Sequence, residues 1–470
     1  MITQPRSAVR PAPPQRTRHR RNAPKEWWGD AASAAGKLSV LVVVGLWAAN
    51  HGISDLTRGT GPALTSAGRL VGLVAMDLLI IQVILMARIP LIERTWGQDR
   101  LARWHRLVGF TSFNGMLAHI ALVTLGYAAS ARVGILAEFW ELITNAGGML
   151  LALAATVCII GVVVTSMRFA RRKLRYESWH LLHLYAYLGV GLALPHEIWT
   201  GSSFRSSWAQ VYWWGFWGLA MAAVVVYRIV QPLWRSARHQ LRVVKIIKEA
   251  PGVVSVVVKG RDVHRLGARA GQFFQWRFLG ADGWTRAHPY SLSAAPTHNA
   301  MRITVKALGD ASSEMDRVPI GSRVLIEGPY GRLTADVCRG SGVTLVASGI
   351  GITPLRALLE ELGPRPGGVN VIYRTSEGED MIFAKELDFF AKEHGVRVVH
   401  LPGGRARRSS WLPSKSEHIA DHAALLHLVP DIASHDVFVC GPNPWMDSVV
   451  TAASRCGVPD DQIHLERFDW

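Results

Sequence analysis

Long apolar runs crowd the first half of this chain and are missing from the second. Six segments before residue 231, roughly 37–53, 70–88, 104–127, 147–167, 178–195 and 208–230, each approach the length of a bilayer span. Runs of that length and character are read as membrane-crossing helices. The overall apolar fraction of 49% is ordinary; its distribution is what constrains the fold.

The segments between the apolar runs alternate in charge. The N-terminal tail, the second loop (Arg88, Arg94, Arg100, Arg103, Arg106), the fourth loop (Arg168, Arg171, Arg172, Lys173, Arg175) and the stretch after the last run (Arg228, Arg235, Arg238) are basic. The three intervening loops hold only Arg58 and Arg69, then Arg132, then Arg205. The positive-inside rule places both termini in the cytoplasm of a multi-pass plasma-membrane protein. That distribution absorbs most of the net charge of +17 and removes nucleic acid as a partner. Residues 1–36 are rich in Pro and Arg and are expected to be a disordered basic tail. A signal peptide does not fit, because no small-residue cleavage site is evident and more apolar spans follow. Cys158, Cys338, Cys440 and Cys456 have no paired spacing, so neither a disulfide framework nor a cysteine metal site is indicated.

Histidines sit inside these spans, where polar side chains are costly and usually functional. His105 and His119 are 14 positions apart and share one helix face, separated by roughly 20 Å along the axis. His183 and His196 stand at matching heights on the fifth span, which runs in the same direction as the third. Two stacked bis-histidine sites follow, one from His105 and His183 and one from His119 and His196, each suited to a b-type haem. Zinc would need ligands converging on one point, which this spacing forbids. The 13-residue spacing rotates by about 220°, so His183 and His196 should not share a face unless Pro195 or a bulge corrects the angle. His180 competes with His183. Asp77, within span two, is read as an interhelix hydrogen-bonding residue in preference to a proton relay.

From about residue 240 short strands bounded by turn residues suggest an antiparallel barrel that ends near Gly328–Gly331. His288-Pro-Tyr-Ser-Leu-Ser293 lies within it, with side chains and backbone suited to a planar ring and phosphates. Next comes the buried-strand pattern Gly342–Ser348, then Gly349-Ile-Gly-Ile-Thr-Pro354 opening a helix. Glycines at a strand-to-helix turn let backbone approach a pyrophosphate. Further strand–helix units (369–373 with 381–394, 396–401, 436–440 with 444–456) indicate a parallel sheet with helices on its faces.

The ordered set His288–Ser293, Gly328–Gly331, Gly349–Pro354, Cys440-Gly-Pro442 and an aromatic C-terminus resembles the ferredoxin–NADP reductase-like flavoproteins. Joined to the four-histidine membrane half, it resembles the ferric reductase/NADPH oxidase family over roughly residues 37–470. The expected fold is a multidomain membrane protein. Its parts are a tail (1–36), a six-helix transmembrane bundle holding haem (37–232), an antiparallel β-barrel flavin domain (238–335) and an α/β parallel-sheet nucleotide domain (340–470).

The resemblance implies that His288, Pro289, Tyr290, Ser291 and Ser293 bind FAD, with Tyr290 against the ring. Lys306, Gly309 and Ser312 would close on the flavin diphosphate. Gly349, Gly351, Thr353 and Pro354 would cradle NAD(P)H, and Cys440, Gly441 and Pro442 would approach the nicotinamide. Trp470 would stack on the flavin and yield to nicotinamide. Arg374 and Ser376 favour NADPH over NADH, since guanidinium matches a 2′-phosphate. Electrons would then pass from cytosolic NAD(P)H through FAD and two haems to O2 or a ferric chelate outside. Quinone, a periplasmic partner or a haem-binding sensor or transporter are the alternatives. No obligatory protein partner and no calcium-binding loop are visible in the sequence.

Overall fold

The computed structural model describes residues 27–174, 176–201, 206–280, 286–376, 378, 381–406 and 409–467. Contacts divide the chain into two compact units: residues 26–92 with 100–228, and residues 93–99 with 229–470.

The first unit is helical. In chain order come α1 (Trp27–Ala49), α2 (Gly52–Asp55), α3 (Thr60–Met86), α4 (Pro90–Trp96), which crosses the unit boundary, and α5 (Gln98–Ala131). Then follow α6 (Ile135–Asn145), α7 (Met149–Ser166), α8 (Arg168–Lys173), α9 (Tyr176–Thr200) and α10 (Ser207–Val225). Helix α1 starts at Trp27, inside the tail expected to be disordered. The Ala-rich stretch 31–36 explains the difference, because small residues of high helix propensity extend a helix without adding large apolar side chains. Residues 1–26 of that tail lie outside the described residues.

Among the described residues five helices are long and apolar enough to cross a membrane: Trp27–Ala49, Thr60–Met86, Arg100–Ala131, Met149–Ser166 and Ser207–His239. The expected fifth span is helix α9, 25 residues long, whose three histidines and Glu197 dilute its apolar character. Close approach in this unit relies on small residues, as in membrane bundles generally. A Cβ on Gly115 would fall 2.9 Å from Ala75 Cβ, and one on Gly68 would fall 2.8 Å from the Val123 side chain. Asp77 is fully buried: its Oδ1 accepts from the Tyr212 hydroxyl at 2.6 Å and its Oδ2 from Ser39 Oγ at 2.9 Å. The carboxyl thus ties α1, α3 and α10 together.

In the second unit α11 (Gln231–His239) packs on a sheet strand, where Ser236 Oγ accepts from Ile326 N at 3.1 Å. Strands β1 (Arg242–Ala250), β2 (Val253–Lys259), β3 (Phe273–Phe278), β4 (His288–Ser291), β5 (Ala300–Lys306) and β6 (Val324–Tyr330) follow, with the short α12 (Asp310–Ser313) before β6. They form two three-stranded antiparallel sheets, β1-β2-β5 and β4-β3-β6, where one barrel was expected. Isolated bridges Leu292↔Ile303 and Arg242↔Arg323 connect the sheets around a shared core that includes Phe274, Trp276 and Ile326.

The remainder is a five-stranded parallel sheet, β11-β10-β7-β8-β9. Its strands are β7 (Gly342–Ser348), β8 (Val369–Thr375), β9 (Arg397–Pro402), β10 (His435–Cys440) and β11 (Ile463–Leu465). Its helices are α13 (Ile352–Glu361), α14 (Ala384–His394), α15 (Asp421–Leu428) and α16 (Asn443–Arg455). Strands β7 and β10 are buried along almost their whole length, as a sheet covered on both faces requires.

Candidate functional site

Two sites form, one in each unit. In the helical unit the His105 and His183 rings lie with centroids 6.0 Å apart, and the His119 and His196 rings 6.3 Å apart. Helix α9 runs unbroken through Pro195, and both of its histidines still meet their partners on α5. His180 falls outside the pairs; its ring neighbour is the adjacent Trp179, at 6.5 Å.

These separations fit a metal gripped from both sides. Metal–imidazole bonds of about 2.0–2.1 Å, with each ring centre about 1.2 Å behind its nitrogen, put the centres about 6.4 Å apart. Ring orientation fits as well. His119 Nδ1 lies 2.8 Å from Gly68 O and His105 Nδ1 lies 3.1 Å from Gln82 O. A proton on Nδ1 that is donated to a carbonyl leaves Nε2 as the free lone pair, which is how metal-binding histidines are usually held. Two imidazoles facing each other across this distance suit a macrocycle that supplies the other ligands itself.

Glycines make room. A Cβ on Gly72 would sit 2.4 Å from His119 Nδ1, and one on Gly148 would sit 2.7 Å from the His196 backbone nitrogen. Gly148 also has φ +80°, so it is required both for its conformation and for the approach.

The second site lies at the carboxyl edge of the parallel sheet and on the neighbouring β4. Gly349 (φ +54°) makes the turn after β7, and its carbonyl accepts from the Tyr373 hydroxyl at 3.1 Å. A Cβ on Gly351 would lie 2.2 Å from Cys440 O, and one on Gly441 would lie 2.9 Å from Ser348 Cβ. Bare backbone is therefore what brings Gly349–Pro354 and Cys440–Pro442 together. Thr353 Oγ1 donates to Ile350 O at 2.9 Å, and buried Pro354 fits the first turn of α13. Burial pushes the Cys440 thiol up to about 12, with the nearby Glu466 carboxylate adding to it.

On β4, His288 and Tyr290 stack at 5.9 Å, and burial pushes the Tyr290 phenol up to about 12. Pro289 pairs with Gln275 and Ser291 with Phe273, and Ser291 is buried. Ser293 is fully enclosed. Its Oγ accepts from Thr304 Oγ1 at 2.7 Å and from Arg302 Nε at 3.2 Å. Its carbonyl accepts from Arg302 at 2.8 Å and Arg356 at 3.0 Å. Both guanidiniums also pair with Glu386. Ser293 thus anchors the loop after β4. Lys306 ends β5, and Ser312 Oγ accepts from Leu308 N at 2.9 Å and Gly309 N at 3.0 Å, which fixes the turn into α12.

Arg374, expected to meet a 2′-phosphate, lies among backbone carbonyls. It is buried, and its guanidinium donates to Gly404 O at 2.6 Å, Leu401 O at 3.3 Å and the Thr375 carbonyl. It pins the loop after β9; Ser376 beside it is exposed. Trp470 lies outside the described residues. Glu466, which the sequence reading missed, sits where a Cβ on Gly331 would be 2.5 Å from its carboxylate. Only proximity in the fold could have flagged it.

Comparison with known proteins follows the same division. Residues 71–194 match the ferric reductase like transmembrane component, and residues 345–451 match the oxidoreductase NAD-binding domain. The chain is 30% identical over 241 residues to the ferredoxin reductase component of 3-ketosteroid-9-alpha-monooxygenase from Mycolicibacterium smegmatis, covering 49% of this chain and 65% of that protein. It is 26% identical over 242 residues to the glycine betaine monooxygenase reductase subunit of Chromohalobacter salexigens, covering 50% of this chain and 65% of that one. The matched stretch thus spans just under two thirds of these relatives' length. Among solved structures, the FAD/NAD-binding domain of nitric oxide dioxygenase from Vibrio cholerae matches with TM-score 0.39 and 23% identity, over 49% of this chain and 98% of that one. The chain thus carries a region matching an oxidoreductase NAD-binding domain after a region matching a ferric reductase like transmembrane component. That order of matches is similar to the ferric reductase/NADPH oxidase-type fusion.

Proposed function

We propose that this protein is a transmembrane oxidoreductase that carries electrons from cytosolic NAD(P)H to an acceptor on the outer face, O2 or a ferric chelate. The observation that supports this most is the ladder of paired histidines, with ring centres 6.0 Å and 6.3 Å apart at two heights on the same two helices. Bound FAD would supply the conversion of a two-electron hydride into single electrons, which is what a bis-histidine haem would require.

The chain's own residues have definable tasks in this reading. His105 with His183, and His119 with His196, would hold haem, while Gly68 O and Gln82 O orient the α5 imidazoles. Tyr290 and His288 present stacked rings for the flavin, and Ser293 holds their loop in register. Gly349 and Gly351 admit the nucleotide's pyrophosphate to backbone N–H groups at the start of α13. Cys440 meets the nicotinamide as a neutral thiol. The basic loops set His105 and His183 toward the cytoplasm, with both termini on that side.

Sealed vesicles of known orientation test the proposal. NAD(P)H supplied on the cytoplasmic face should reduce a membrane-impermeant acceptor on the opposite face, as dismutase-sensitive superoxide formation or as ferrous chelate. Reduction confined to the NAD(P)H side overturns it. A second reading, delivery to a partner protein, draws on the ferredoxin reductase components among the relatives, and it predicts turnover only after such a partner is added.

A further inference from the structure

The four histidines are not held alike. Both α5 rings turn Nδ1 to a backbone carbonyl, Gln82 O for His105 and Gly68 O for His119. The two on α9 differ. His183 Nδ1 lies 3.3 Å from Ser166 Oγ, at the C-terminal end of α7, whereas His196 Nδ1 is buried with no hydrogen-bond partner among the described residues.

Ser166 is itself held. Trp179 Nε1 donates to the same Oγ at 3.2 Å, and the Trp179 ring stands 5.1 Å from the His183 ring. Arg171 lies over the other side of the bracket, its guanidinium carbon 4.5 Å from the Trp179 ring centre. A hydroxyl oxygen has two acceptor sites, so it takes the indole N–H and the imidazole N–H together. If Nε2 of His183 faces a metal, Nδ1 must carry the proton and be the donor. At the other height Gly148 packs against the His196 backbone and offers no side chain to its ring.

We infer that Ser166 makes the two histidine pairs unequal in reduction potential, the His105–His183 site lower than the His119–His196 site. This rests on the two-haem reading. An imidazole that donates its second N–H to an acceptor becomes a stronger electron donor and stabilises the oxidised metal, which lowers the potential. Both α5 ligands have backbone carbonyl partners, so the difference in hydrogen bonding lies on α9. The site nearer the cytoplasmic loops is then the weaker oxidant, the order that favours outward flow.

Potentiometric titration of the full-length holoprotein in membranes, followed by haem absorbance, tests this. The wild type should titrate in two steps. Ser166→Ala should raise the lower midpoint and leave the upper one in place, closing the gap, while Ser166→Thr keeps the hydroxyl and restores the wild-type curve. Should Ser166→Ala not retain haem, Ser166→Cys, a weaker acceptor, supplies the comparison with a smaller upward shift of the same midpoint. A single wild-type midpoint, a shift of the upper midpoint, or no shift in either variant overturns the inference. A wild-type protein without haem overturns the underlying reading instead.

Discussion

In the helical unit four side chains carry the site, and the backbone supplies their spacing and, through Gly68 O and Gln82 O, the orientation of two of them. In the soluble unit the backbone carries it, through Gly349, Gly351 and Gly441, while side chains such as Arg302, Arg356 and Arg374 brace the loops from behind. The contrast follows from the solvent. Lipid leaves a helix no free backbone polar groups to offer a ligand, so only side chains can reach out. The edge of a parallel sheet exposes N–H groups at every strand-to-helix turn. Damage should therefore be local and stoichiometric in the first unit, and graded in the second.

The largest expected effect tests that first half. His119→Ala should lose one of two haems, halving haem per polypeptide, while His180→Ala retains both; the reverse outcome would reassign the ligands. A subtler change attacks the same pocket through packing. Gly72→Val pushes a side chain into the space occupied by the His119 ring, 2.4 Å from its Nδ1, and should cost about 1–3 kcal/mol with selective loss at that height. Gly191→Val, at a glycine with nothing within 4 Å, is the matched control and should leave haem content unchanged.

In the soluble unit Glu386→Gln should be graded. The Glu386 carboxylate sits against two guanidiniums, so its removal leaves buried positive charge and should cost about 3 kcal/mol, read as earlier thermal release of flavin. Burial pushes the Glu386 carboxyl up, but bonds and attraction from Arg302 and Arg356 outweigh it and hold the group below its ordinary range. Its contribution is therefore complete above the ordinary carboxylate range and lost as pH falls through the lowered value. The wild type should lose this stability in acid, and the variant should show a flatter acid limb. The smallest effect concerns Cys440. With its thiol pushed up to about 12 and 3% exposed, it should alkylate far more slowly at pH 8 in the native protein than in the unfolded chain. Rapid labelling would show the edge to be open.

How much was legible in advance divides along the same line. Histidine spacing, with the loop charges that set the direction of the two spans, put His105 beside His183 and His119 beside His196 in height, while the 13-residue spacing on α9 left their facing open and His180 in competition. The predicted strands of the parallel sheet appeared within a residue or two, since buried runs such as Gly342–Ser348 have few other readings. What escaped detection depends on long-range contact. Ser166, Glu466 and the Arg302–Glu386–Arg356 cluster carry no local pattern, and three-residue β11 is too short to show one. Helix α1 began earlier than expected because alanine lengthens a helix without raising its apolar signal. Arg374 shows a related limit: the sequence presents an arginine at a strand end, and only the fold reveals the carbonyls it donates to.

Haem content and reducibility measured together in one membrane preparation test the central claim most directly. Two b-type haems per chain, both reduced anaerobically by NAD(P)H and one lost on changing His119 to alanine, is the predicted result. A preparation with no haem, or with haem that NAD(P)H leaves oxidised, would contradict it.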